Sequence, residues 1–235
     1  MKIKSSIRLF LTGLFTCGTL LSTINAQEKE SRPLPDIITS IKITSGLDLY
    51  VKLGDKVSLE IEADKAYLHR VITEVQGHQL RIYTEGRMNW KRTYLPKIYV
   101  TLTDIESITS SGGSDVFSKG VLKVDSLVLK SSSGSDMYAE VDTRKLFLVS
   151  SSGSDLKVKG KTIYLNASAG SGSDIIAEDL AAKYVTVKAT AGSNARVYAI
   201  ESVDAHSSSG SDIIVFGSPI TKVLKESSGG DIRLK

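Results

Sequence analysis

The residues best placed to do chemistry are seven acidic or amide side chains that return at a nearly fixed interval. Asp115, Asp136, Asp155, Asp174, Asn194, Asp212 and Asp231 succeed one another at 21, 19, 19, 20, 18 and 19 residues. Each closes a short polar phrase, of which Ser-Ser-Gly-Ser-Asp136, Ser-Ser-Gly-Ser-Asp155 and Ser-Ser-Gly-Ser-Asp212 are the purest. Oxygen-rich rows of this kind suit hard divalent cations, so Asp115, Asp136, Asp155, Asp174, Asp212 and Asp231 are candidate calcium ligands. The competing use is architectural. An Asp after Gly-Ser can bond its carboxylate to the amides of the corner, and Asn194 interrupts the row of charge.

Spacing favours the architectural use. Calcium β-rolls carry a similar Gly-Gly-x-Gly-x-Asp phrase every nine residues, whereas here the phrase returns only every 18 to 21 residues. No cofactor is expected. His69, His78 and His206 match no zinc spacing. No Gly-x-Ser-x-Gly elbow joins a strand to a helix, and the Gly-Ser phrases open no helix and contain no Gly-Lys-Ser/Thr.

Binding chemistry has more to work with. Two residues after each Asp or Asn stand Phe117, Tyr138, Lys157, Ile176, Arg196, Ile214 and Arg233. That column has no paired carboxylates of the kind glycoside hydrolysis uses, although the neighbouring Asp row could supply acids. Phe117, Tyr138, Phe147 and Tyr164 are expected to point outward, where they could stack on sugars or dock a protein. Arg87, Lys91 and Arg92 surround Trp90 in a basic loop suited to anionic glycans or head groups. Trp90, Arg87, Lys91, Arg92, Phe117 and Tyr138 are therefore the candidate binding residues.

These columns exist only if the chain stacks on itself. After each Asp or Asn, alternate positions are apolar or small, as in Met137/Ala139, Leu156/Val158, Ile175/Ala177, Ala195/Val197 and Ile213/Val215. A second alternating stretch includes Leu127/Leu129, Leu146/Leu148, Ile163/Leu165, Val185/Val187 and Val203/Ala205. A third uses small residues, as in Ser131/Ser133, Ser150/Ser152 and Ala189/Ala191. Period two means strands with one buried face. Three short strands per turn, stacked at a fixed repeat, predict an all-β, single-stranded, right-handed parallel β-helix with about 19–20 residues per turn. Strand spacing of about 4.8 Å makes seven turns a rod roughly 34 Å long.

The expected organisation has four parts: residues 1–26 a signal peptide, 27–36 a tether, 37–106 a β region of wider turns that caps the helix, and 107–235 the regular repeats. Gly54-Asp55 and Gly77-His78 sit where hairpin turns belong, and residues 66–75 could hold a short helix. Lys222 and Glu226 stand near positions that are apolar in earlier repeats, marking a terminal turn or a seat for a partner.

The leader fixes the compartment. Lys2, Lys4 and Arg8 precede a mostly apolar run from Leu9 to Ile24, with Ala26 before Gln27 as the cleavage point. Its removal takes three of the 30 basic residues and none of the 26 acidic ones, leaving a net charge of +1. The chain's basic character therefore gives no argument for nucleic acid. The single Cys leaves too, so the mature chain has no disulfide. No membrane span remains after the leader.

Ile43 to Asp55 reads Ile-x-x-Gly-x-Asp-Leu-x-Val-x-x-Gly-Asp, Tyr94 to Leu102 reads Tyr-Leu-Pro-x-Ile-Tyr-Val-Thr-Leu, and Ser-Gly-Ser-Asp rungs follow. This pattern resembles the head GIN domain of putative auto-transporter adhesins, over residues 37–235. The resemblance implies an exported β-helical domain, periplasmic or on the outer surface of a Gram-negative cell, with adhesion as its role. It supplies no catalytic residues. A non-enzymatic protein that binds a glycan or protein is expected. The alternatives are a β-helical polysaccharide lyase or hydrolase, and a purely structural envelope domain.

Overall fold

The structure is a computed structural model that describes residues 27–86 and 95–235. It is a parallel β-solenoid of about seven turns. The first part holds β1 (Gln27–Arg32), β2 (Ser40–Ile43), β3 (Asp48–Leu53), β4 (Ser58–Asp64), the single helical turn α1 (Lys65–Leu68), β5 (Val71–Gln76), β6 (Gln79–Thr84), β7 (Lys97–Leu102) and β8 (Ser107–Ser110). The long strands follow: β9 (Val116–Ser132), β10 (Asp136–Ser151), β11 (Asp155–Gly170), β12 (Asp174–Thr190) and β13 (Asn194–Ser208). β14 (Asp212–Phe216), β15 (Thr221–Ser227) and β16 (Asp231–Leu234) complete the rod.

Each long strand runs through most of a turn as one continuous strand, where the spacing predicted three short ones, and β12 is outward at two adjacent residues twice, at Glu178/Asp179 and at Lys183/Tyr184. In β10, Met137, Ala139, Val141 and Thr143 are buried along the first side, and Leu146, Leu148 and Ser150 along the second. Alternation slips once, where Arg144 and Lys145 are both exposed. Two adjacent outward residues are what a bend between sides requires, because the period-two pattern cannot continue round it. The third stretch therefore divides: Ser150 is inward, but Ser152 belongs to the corner. Likewise Leu165 and Ala167 are inward on the second side of β11, while Ile163 is only half-buried.

Stacking from Asp136 onward is parallel and in register. Met137 lies beside Leu156, Leu156 beside Ile175, Ile175 beside Ala195, Ala195 beside Ile213 and Ile213 beside Ile232. Most of each turn thus pairs with the next, with register slips such as those at Lys157/Gly160 and Ala177/Ala181, and each apolar column fills the axis.

The first turns do not follow chain order. β3 lies between β7 and β9, and β2 lies between β6 and β8. The earliest coil in the sequence is therefore sandwiched between later ones. Gly54-Asp55 is consequently no hairpin: β3 and β4 are separated in the sheet by β7, which pairs parallel to β3 and antiparallel to β4. Gly77-His78 does form a hairpin, joining antiparallel β5 and β6.

The segment expected as a tether also contributes to the cap. Residues 27–32 form β1, antiparallel to β4, with Lys29 Nζ 2.7 Å from Glu60 Oε1. Arg32 donates to the carbonyls of Val71 and Leu68 at 2.6 and 3.0 Å, tying β1 to β5 and α1. Antiparallel strands cover the edge that a bare first coil would leave open.

The opposite end is closed differently. β15 pairs only with β13, placing Lys222 beside Val203, Leu224 beside Ala205 and Glu226 beside Ser207. All seven residues of β15 are exposed, and Ile220 just before it is 84% exposed. Inward-pointing charges on a terminal strand oppose further stacking, since another turn would have to desolvate them.

Candidate functional site

The corner that ends each turn has the same form throughout. Two successive residues take positive φ: Ser133 and Gly134 (57° and 70°), Ser152 and Gly153 (58° and 66°), Ser209 and Gly210 (59° and 69°). The sequence signals the glycine but hides its partner, because Ser in the left-handed region is uncommon. Backbone pairing offsets that strain. The Gly134 amide donates to Ser152 O at 3.2 Å and the Gly153 amide to Ser171 O at 3.1 Å, so the corners form a ladder of their own.

The Ser after each glycine points inward. Ser114, Ser135, Ser154, Ser173, Ser193 and Ser211 are fully buried. Ser154 Oγ accepts from the Ser151 amide at 3.1 Å and lies 2.8 and 2.9 Å from the carbonyls of Ser151 and Ser131. It is also 2.9 Å from Ser150 Oγ. No buried polar side-chain atom among the described residues lacks a partner.

The Asp column does form, with Asp136 beside Asp155 and Asp155 beside Asp174. Its carboxylates act between turns rather than within their own corner. Asp115 Oδ1 accepts from the Asp136 amide at 3.1 Å, and Asp136 Oδ1 from the Asp155 amide at 3.2 Å. Asn194 Nδ2 donates to Asp174 Oδ1 at 2.9 Å. Among the described residues, no three His, Cys, Asp or Glu side chains meet as a metal cage.

Crowding leaves an electrostatic mark. Burial, then the charges of Asp136 and Asp174, hold the Asp155 carboxyl above the ordinary range; burial and Asp136 do the same to Asp115. A carboxyl that keeps its proton to higher pH when folded contributes stability below the unfolded value near ~4 and loses it as pH rises through the folded value. Asp155→Asn should therefore raise the melting midpoint by a few degrees at pH 7, and that gain should vanish by about pH 3.5. Thermal melts of the two proteins across this range check the sign. A loss at pH 7 would mean that the carboxylate's charge is needed.

Phe117 and Tyr138 are brought together, and two rings not singled out beforehand join them. Tyr99, Tyr50, Phe117 and Tyr138 stack in that order with centroids 5.1, 5.3 and 5.3 Å apart. Lys119 Nζ lies 4.5 Å from the centre of Tyr50. Burial, then its bond to Glu62, pushes the Tyr99 hydroxyl up to about 12. Rings stacked along the axis cover one another's faces, so the inner ones present mainly edges to solvent. Tyr50 was legible: it stands two residues after Asp48, as Phe117 does after Asp115. Trp90, Arg87, Lys91 and Arg92 lie outside the described residues.

The second side carries a furrow of 380 Å³. One wall is the column Lys145, Tyr164, Tyr184, Ser202 and Thr221; the other is Phe147, Asn166, Thr186, Asp204 and Val223. Phe147, Tyr164 and Tyr184 are 39%, 48% and 42% exposed. Tyr184 was not anticipated, although its register beside Tyr164 makes it the second half of a stacked pair.

Two other hollows flank it. Along the bend, 780 Å³ is lined by Val124, Ile163 and Ile200 together with Lys123, Lys183 and the ion pairs Arg144–Asp125 and Lys161–Asp142. On the first side, 360 Å³ gathers Asp174, Asp212, Arg196 and Arg233. Arg233 is held by Asp231 at 2.6 Å, and Arg196 is 3.8 Å from Glu178.

Comparison with known proteins accords with this geometry. A putative adhesin from Bacteroides fragilis superposes with a TM-score of 0.83 at 20% identity, covering 89% of this chain and 97% of that one. A putative adhesin from Parabacteroides merdae gives 0.70 at 15% identity, with 90% and 97% covered. A putative lipid binding protein from Parabacteroides distasonis gives 0.66 at 16% identity, with 89% and 97% covered. At these identities the likeness shows the fold alone. A search of curated proteins finds no match. The family model for the putative auto-transporter adhesin, head GIN domain, matches residues 38–219, which contain the Asp column from Asp115 to Asp212, the stacked rings and nearly all of the furrow. That span is most of the chain, and the chain belongs to this family.

Proposed function

We propose that this protein is an exported, non-catalytic binding domain of the cell envelope, delivered by residues 1–26 and holding a glycan or protein against its outer surface. Its compartment in this reading is the periplasm or outer surface of a Gram-negative cell. The observation that carries the proposal is the furrow, where three exposed aromatic rings and several hydrogen-bonding side chains converge on a stiff rod. The family description supports adhesion, and no helix among the described residues is long and apolar enough to cross a membrane. The Asp column is architectural here and needs no cofactor, so calcium leaves the melting midpoint unmoved.

An array of glycans and matrix proteins, probed with the full chain, tests the reading. A ligand is expected whose binding falls at least tenfold in Tyr164→Ala, a variant whose exposed ring contributes little to the core. No bound ligand, or equal binding by both proteins, would overturn it. The hollow at Asp174, Arg196, Asp212 and Arg233 favours the alternative of a polysaccharide-cleaving enzyme. Cleavage of an acidic polysaccharide that disappears in Arg196→Ala would replace the binding proposal.

A further inference from the structure

We infer that one end of the furrow, at Tyr184, Ser202 and Asp204, is a subsite for a neutral pyranoside. The inference deepens the binding reading and rests on it. Tyr164 and Tyr184 stack with centroids 5.2 Å apart and ring planes 20° from parallel, so each covers one face of the other. Beyond Tyr184 the column continues as Ser202 and then Thr221. Both are too small to cover a phenol ring, and no ring among the described residues stacks on that side. The next stacking position along the axis thus falls over Ser202, inside the furrow.

What fits there is a flat body with an apolar face and a polar rim. A pyranose ring has both: axial hydrogens on one face, and hydroxyls at its edge. Aromatic faces take the first, and a few convergent polar groups fix the second. The opposite wall supplies them as Thr186 and Asp204, which are neighbours in register. His206 Nε2 lies 2.8 Å from Asp204 Oδ1, which anchors the carboxylate and leaves Oδ2 for hydroxyls. A carboxylate with a free oxygen accepts two hydroxyl bonds of the stronger, charge-assisted kind.

Charge decides the class of sugar. Of the residues lining the furrow only Lys145 and Asp204 carry charge, and they stand at different ends of it. From Lys145 the column runs through Tyr164 and Tyr184 to Ser202, three strand spacings or roughly 14 Å. A uronate or sialic acid stacked on Tyr184 would place its carboxylate against Asp204, so a neutral hexose is preferred.

Isothermal titration of the full chain with cellotetraose, mannotetraose, chitotetraose and tetragalacturonate tests this. At least one neutral tetrasaccharide should bind, and Ser202→Tyr should weaken it at least tenfold. That substitution extends the stack and fills the position, so its melting midpoint should equal or exceed that of the wild type. Tyr184→Ala should weaken the same sugar by a similar factor. Unchanged affinity in both variants would move the sugar elsewhere, overturning the subsite while leaving the binding reading intact. Tighter binding of tetragalacturonate would overturn the assignment to a neutral sugar. If none of the four binds while a protein ligand from the array does, the sugar class falls and the wider reading stands. Failure of every sugar and every array ligand overturns both.

Discussion

Gly160→Ala will destabilise the rod by about 3 kcal/mol or more, one of the largest effects expected of a single methyl group in this protein. Gly160 has a φ of +116°, a region that side chains other than hydrogen rarely enter. It sits between Val141 and Leu180 in register. A Cβ built on it lies 2.1 Å from Val141 O and 3.1 Å from the Val141 amide nitrogen. The obstacle is backbone, held in the ladder by its own pairing, so no side chain can swing away to make room. Relief requires β10 and β11 to part locally, breaking hydrogen bonds in the middle of the rod. A domain of this size loses about 2–4 °C for each kcal/mol, so the midpoint should fall by roughly 10 °C. Gly153→Ala is the control. Its φ is +66°, but nothing lies within 4 Å of the added methyl. It should cost only the conformational penalty of about 1–2 kcal/mol. Urea melts of both variants compare them. Equal losses would show that backbone strain alone matters at residue 160. A solenoid is nearly one-dimensional, so damage at one joint can also separate the unfolding of its two sides. A lower m value in Gly160→Ala than in Gly153→Ala would mark that division.

Gly160 also shows where reading from sequence stops. The regular half was legible because Asp, Gly and inward apolar residues repeat in a fixed order, and stacking equivalent positions is the arrangement that buries the apolar ones. Register, the Asp column and the outward placement of Phe117, Tyr138, Phe147 and Tyr164 all follow from that order. Gly160 breaks no such pattern. It reads as an ordinary strand residue, and the demand for glycine comes from the carbonyl of a residue 19 positions earlier. The corner was half-legible for a related reason. Two successive left-handed residues are needed, and only one is marked by glycine; Ser133, Ser152 and Ala191 take the other place under the pull of the turn-to-turn ladder.

Residues 37–106 resisted for a topological reason. Alternation identifies strands such as Asp48–Leu53 and Lys97–Leu102, but it cannot say which strand lies beside which. Here β7 enters between β3 and β4, and parallel and antiparallel pairing meet on one strand. The candidate site divides along the same line. Tyr164 and Phe147 were foreseeable from their own strands. The furrow itself requires knowing that Tyr184 lies over Tyr164 and that Ser202 follows in the column.

Internal comparison of the turns makes the remaining large prediction specific. Ser150 and Ser154 touch each other in the corner, and both are buried. Their equivalents differ, however. Ser150 aligns with Ser131, Ala169, Ala189 and Ser207 in other turns, so the chain itself replaces this hydroxyl twice. In those two turns Ser173 Oγ still accepts from the Gly170 amide at 3.1 Å, and Ser193 Oγ from the Thr190 amide at 3.0 Å. The second hydroxyl therefore closes the corner without help from the first. Ser154 has Ser at every regular equivalent, and only terminal Gly230 departs from it; there a Cβ would lie 2.5 Å from the Ser207 carbonyl carbon. Ser154→Ala strands the Ser151 amide and removes the one hydroxyl proton shared between the carbonyls of Ser131 and Ser151, at a cost of about 2 kcal/mol. Ser150→Ala should cost less than about 1 kcal/mol, since Ser154 keeps its backbone partners. The double substitution should lose less than the sum of the two single losses, because the bond between the hydroxyls can be lost only once. Chemical denaturation of the three variants measures this. A Ser150→Ala loss as large as that of Ser154→Ala would show that the hydroxyl pair, rather than the amide-closing serine, holds the corner.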